Sequence, residues 1–140
     1  MKILYTAKAI SQGGRNGRVR IENSPLELEL AVPAEMNGTG KSGVNPEQLF
    51  AAGYAACFES ALAHVARRHK LTLNATSVAA EVGIGPNDQG GYLLEVSLTA
   101  TLSGVDQATA DTLVQEAHQV CPYSNATRGN INVTVSARIE

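Results

Sequence analysis

The sequence predicts an α+β domain, mostly antiparallel sheet with helices packed on it. Three observations carry this. Short runs of strictly alternating apolar and polar residues recur, as in LELEL at 26–30. One long stretch, LFAAGYAACFESALAHVA at 49–66, is apolar or small nearly all round, the pattern of a buried helix. The order of segments is βββ-α-ββ-α-β with hairpin-sized connections, which favours helices on a sheet over a doubly wound parallel fold. The 140 residues, 44% of them hydrophobic, fit a single domain spanning 1–140 and exclude a disordered chain.

Taken in order, Ile3, Tyr5, Ala7 and Ala9 alternate as a first strand, and GGRNG at 13–17 follows, with Asn16-Gly17 a hairpin turn signal. A second strand is expected around Arg18–Ile21 and a third at 26–30. Residues 34–44 form a Gly-rich loop. Asn45-Pro46-Glu47-Gln48 is the sharpest local signal: Asn as N-cap, Pro at N1, and Gln at N3 closing a capping box. The helix it opens should run to about His69. A strand near Val78–Val82, the turn-rich GIGPNDQGG, and a long strand at 92–102 come next. In that strand Leu94, Val96, Leu98, Ala100 and Leu102 share one face. A second helix starts after Asp106 and stops at Val120, since Pro122 cannot continue it. The last strand covers Ile131–Ile139.

Charge and composition exclude several functions. A net charge of −2 provides no basic field for nucleic acid or acidic lipid. Four Tyr, two Phe and no Trp leave little for a base-stacking surface. MKILYTAKAI is too short, and too interrupted by Lys8, for a signal sequence. No charge-free apolar run reaches the ~18 residues of a membrane span. The expected setting is a reducing cytoplasm, where two cysteines are chemical more often than structural.

Cys57 and Cys121 are the first residues to weigh. Neither belongs to a CxxC motif. Cys57 also reads as a small core residue, because free Cys is among the most buried types. It lies about three turns inside its helix, beyond the reach of the macrodipole, so burial should raise its pKa unless a fixed cation lies nearby. Arg15 in the tight GGRNG turn is a candidate cation, with Arg18, Arg20, Arg67, Arg68, Arg128 and Arg138 as alternatives. A buried Arg needs a carboxylate. Glu47, Glu59 and Glu81 are options, and at ~100° per residue Glu47 and Cys57 differ by about 80° around the axis. His64, seven residues after Cys57, opens a Cys–His nucleophile pair. His118 and Cys121 at i, i+3 make at most half of a metal site. Phe50, Tyr54 and Phe58 beside Cys57 are expected to line an apolar mouth. Spacing alone does not choose further.

NPEQLFAAGYAACFESAL at 45–62 and HQVCPYSNATRGN at 118–130, with GGRNG upstream, resemble the organic hydroperoxide resistance proteins of the OsmC superfamily. The resemblance spans essentially the whole chain. It implies an OsmC-like fold, antiparallel sheets on a long buried central helix, and an intertwined homodimer with active sites at the subunit interface. It implies that Cys57 attacks the peroxide, Cys121 resolves, Arg15 activates the thiol and binds peroxide, and Glu47 is its salt-bridge partner. The activity implied is a thiol peroxidase for organic hydroperoxides that needs no metal or other cofactor. Its expected reductant is an external dithiol, a dihydrolipoyl group on a lipoylated protein. Three rivals stay open: an OsmC-type peroxidase with another peroxide preference, a non-enzymatic dimer binding apolar ligands, and a Cys–His hydrolase.

Overall fold

The structure, a computed structural model, describes all 140 residues. They group into two compact units, Met1–Leu49 and Phe50–Glu140.

The first unit is a three-stranded antiparallel meander, β1 (Ala9–Gln12), β2 (Arg18–Ile21) and β3 (Glu27–Glu29), in that order. Its β1–β2 hairpin, registered Ala9↔Ile21 to Gln12↔Arg18, turns through a single 3₁₀ turn at Gly14–Asn16. Gly17 closes the turn, and only glycine fits: a Cβ there would lie 1.8 Å from the Gln12 carbonyl oxygen. The strand starts at Ala9 and not at Ile3, which corrects the alternation-based boundary. Alternation makes a strand only where a neighbour offers a ladder. β2 ends opposite Ala9, and the chain then turns at Asn23 with φ +59°, leaving Ile3, Leu4 and Tyr5 exposed. After β3, mutual backbone bonds of 2.9 Å (Val44 N–H to Glu29 O, Ala31 N–H to Val44 O) return the Gly-rich loop to the sheet.

Helix α1 runs Pro46–Arg68. The capping box forms as expected: Gln48 N–H donates to Asn45 Oδ1 at 2.8 Å, and Asn45 N–H to Gln48 Oε1 at 2.9 Å. By length and composition this helix is long and apolar enough to cross a membrane. Its burial corrects the expectation of a helix enclosed nearly all round: only Tyr54, Phe58, Ala61, Leu62, Val65 and Ala66, on one face, are buried in the single chain.

The second unit adds β4 (Ala75–Pro86), β5 (Tyr92–Ser103), α2 (Gln107–Val120), α3 (Pro122–Thr127) and β6 (Asn132–Ile139). β5 is the central strand. Val96, Leu98, Ala100 and Leu102 are buried on one face of it, the face the alternation predicts. β4 pairs with it antiparallel, but β6 pairs parallel, Glu95↔Asn132 to Leu102↔Ile139. The sheet is therefore mixed, a correction to the antiparallel expectation. The chain between β5 and β6 is a helical crossover and not a hairpin, and a crossover is what parallel pairing requires. Asp106 caps α2 by accepting from Thr109 N–H at 2.8 Å, and Ala110, Leu113, Val114 and Ala117 form its buried stripe. α3 is unanticipated: Pro122 ends one helix and stands in the first turn of the next.

Candidate active site

The candidate residues fall into two groups, one in each unit. In the first, the 3₁₀ turn presents Arg15, whose Nη1 and Nη2 donate to Glu47 Oε2 and Oε1 at 2.8 and 2.7 Å. This is the bidentate fork that a planar guanidinium makes best. The Glu47 side chain is 11% exposed, and its bond from Arg15 holds the carboxyl below the usual carboxylate range. Lys41 from the Gly-rich loop fixes the turn, donating to the Asn16 carbonyl at 2.9 Å while paired with Glu29 at 3.3 Å.

In the second unit Cys57 and Cys121 meet across a sequence gap of 64 residues. Both are free thiols, with Cys121 Sγ 3.8 Å from Cys57 Sγ as hydrogen-bond donor. Cys121 is the single residue between α2 and α3: its N–H closes α2 on Ala117 O, and its carbonyl accepts from Asn125 of α3, both at 2.9 Å. It is fully buried, whereas Cys57 is half-buried. Burial pushes the Cys57 thiol above its ordinary value, as its place inside the helix predicts; the backbone N–H of Tyr123 pulls the other way, and neighbouring Cys121 adds to the rise.

One expectation is corrected. Tyr54 and Phe58 line no mouth, because both are wholly buried in the core. Phe50 is only partly buried, and the exposed aromatic at this end is Tyr123, whose ring centroid lies 6.0 Å from that of Phe50. Gly53 makes room for it, since a Cβ there would stand 2.8 Å from the Tyr123 hydroxyl. His118 does not join Cys121 in a metal site. Its Nδ1 lies 2.8 Å from Ser124 Oγ, and no group of three His, Cys, Asp or Glu side chains is placed to hold a metal. His64 is exposed on α1.

This geometry can be set against known proteins. The OsmC-like protein family model matches residues 38–136. An organic hydroperoxide resistance protein of Xanthomonas axonopodis pv. citri is 52% identical over 136 residues, 96% of this chain and 95% of the relative. The chain belongs to the OsmC superfamily, among its organic hydroperoxide resistance proteins. Solved members superpose closely. The Elizabethkingia anophelis protein, crystallised with thiocyanate bound, matches with a TM-score of 0.95 at 49% identity, each chain covered completely. OhrB of Bacillus subtilis matches with a TM-score of 0.89 at 38% identity, covering 97% of this chain and all of that one.

Sequence reading missed the polar residues around Cys121. Tyr54 Oη lies 2.9 Å from Ser124 Oγ and 3.1 Å from Thr127 Oγ1, all three in buried residues. Pro122 was the available signal. Read as the first residue of a new helix, it puts Ser124 and Thr127, three apart, on one face of α3.

Proposed function

We propose that this chain is a cysteine-based peroxidase that reduces organic hydroperoxides to alcohols. The observation that carries the reading is the 3.8 Å approach of two free thiols from distant parts of the sequence. In the first step the Cys57 thiolate attacks the terminal peroxide oxygen; the O–O bond breaks, the alkoxide takes a proton and leaves as the alcohol, and Cys57 becomes a sulfenic acid. In the second, the Cys121 sulfur attacks Cys57, forming the S–S bond and releasing water. An external dithiol returns the pair to thiols, and we assign that role to dihydrolipoyl groups. The electrons pass between sulfur and oxygen, so the cycle calls for no metal or other cofactor.

A thiol raised by burial is largely protonated at neutral pH and needs a fixed positive charge to ionise. We assign that charge to Arg15, held by Glu47. Arginine does not deprotonate, and its fork can donate to the oxygen on which charge develops. Preference for alkyl over hydrogen peroxide follows from apolar burial, about 0.8 kcal/mol per CH₂. The aromatic side chains suited to it are Phe50 and exposed Tyr123. We further propose a homodimer, a reading supported by the exposed apolar residues Ile3, Leu4, Tyr5, Ile10 and Leu26, and a cytoplasmic setting, in keeping with two free cysteines.

The test is a pair of variants given one equivalent of cumene hydroperoxide. Cys57→Ser should abolish turnover. Cys121→Ser should consume about one equivalent and stop at the sulfenic acid, identified by mass spectrometry. Sustained turnover by Cys57→Ser refutes the assignment.

A further inference from the structure

Cys121 lies at a bend. As the single residue between α2 and α3, its sulfur is aimed by the angle those two helices make. Disulfide formation must bring the sulfurs from 3.8 Å to the roughly 2.05 Å of an S–S bond, so that angle matters.

A chain of side-chain hydrogen bonds spans the bend and ties it to α1. His118 on the last turn of α2 meets Ser124 on α3 (Nδ1 to Oγ, 2.8 Å), and Ser124 meets Tyr54 on α1 at 2.9 Å. Tyr54 meets Thr127 at 3.1 Å. His118 and Ser124 each stand three residues from Cys121, on opposite sides of it, and Tyr54 stands three residues before Cys57.

The direction of this chain is fixed by its far end. Thr127 Oγ1 lies 3.0 Å from the Tyr123 carbonyl and 3.2 Å from the Ser124 carbonyl. Carbonyls only accept, so the Thr127 proton points at them. Tyr54 must then donate to Thr127, and Ser124 to Tyr54. That leaves Ser124 Oγ to accept from His118, whose Nδ1 carries the hydrogen. Burial, and then the charge of Arg128, hold His118 below its ordinary range and favour the neutral ring. Arg128 adds a second brace, donating to the His118 carbonyl and, at 2.7 Å, to Asn125 Oδ1.

We propose that His118, as the Nδ1–H tautomer, with Ser124 and Tyr54, positions Cys121 over Cys57 for the disulfide-forming step. This rests on the peroxidase reading above. The three are positioning residues, and they govern which fate the sulfenic acid meets. Attack by Cys121 gives the disulfide and water; a second hydroperoxide gives the sulfinic acid and another alcohol. A loosened bend slows the first and leaves the initial peroxide attack alone.

The experiment follows both steps in fully reduced protein mixed with cumene hydroperoxide, counting disulfide and sulfinic acid by mass spectrometry in the parent, Tyr54→Phe, His118→Leu and His118→Asn. Tyr54→Phe and His118→Leu should lose peroxide at the parental first-step rate, form disulfide about tenfold more slowly, and accumulate sulfinic acid, a loss on the scale of one or two hydrogen bonds. His118→Asn restores a donor where Nδ1–H stood and should recover most of the disulfide rate. Parental disulfide rates in Tyr54→Phe and His118→Leu, or an Asn variant as slow as Leu, overturn the proposal. A parent that consumes peroxide without forming the Cys57–Cys121 disulfide overturns the peroxidase reading itself, and the proposal with it.

Discussion

From Val96 to Leu102 every second residue of β5 is buried, whereas all four residues of β1 are exposed, and between Met1 and Leu49 only Leu30 and Ala31 are buried. The two units hold their order by different means. Phe50–Glu140 has a hydrophobic core with a thiol pair beside it. Met1–Leu49 has a backbone ladder, a glycine-dependent turn and a bidentate ion pair, with almost no apolar interior. A small sheet without a covered face is marginal by itself. The difference teaches that the cysteine pair rests on packed apolar side chains, while the Arg15 turn rests on backbone bonds and the fork to Glu47; the homodimer proposed above would add cover to that unit.

Removing core volume is the strongest way to probe the contrast. Leu98→Ala should destabilise the protein by about 2–5 kcal/mol, read from urea unfolding, with loss independent of protein concentration. A shift near zero would mean that β5 does not carry the core.

The turn should respond in rate before stability. Arg15→Lys keeps the charge but loses the fork, so peroxide turnover should fall by about tenfold or more, with a raised Cys57 pKa by iodoacetamide titration. An unchanged thiol pKa in Arg15→Ala would give the activating role to another residue. Glu47 carries a matching pH signature. Its folded-state pKa lies below the ordinary 4.5, so its stabilising effect is complete above that value and is lost as pH falls through the lower folded one. Glu47→Gln should therefore flatten the acid limb of the stability curve below pH 4.5.

Smaller changes sharpen the comparison. Asn45→Ala removes the cap at the start of α1 and should cost about 1 kcal/mol in thermal or urea unfolding. Val19→Ala, in half-buried β2, should cost less than about 1 kcal/mol at high protein concentration and more on dilution, the mark of a face covered by a second copy. A concentration-independent loss would remove the homodimer from the account of this unit.

Much of this was legible in the residues. The capping box at Asn45, the stop at Val120 and the buried face of β5 follow from contacts within a few positions, where residue type and period act directly. Asn16-Gly17 in GGRNG marked a hairpin turn, although the left-handed residues of that turn are Gly13 and Gly14. The motifs around Cys57 and Cys121 carried the family. Tertiary structure decided what depends on residues far apart in sequence. β6 lies parallel to β5 because α2 and α3 return the chain in the same direction, which no alternation within β6 records. Tyr54 and Phe58 turn to the core and not to a mouth because β5 and α2 supply buried partners. The meeting of sulfurs 64 positions apart, and the hydroxyl chain that braces the bend beneath one of them, exist only once three helices have packed. Local pattern fixes the direction of a side chain; only packing fixes what stands opposite it.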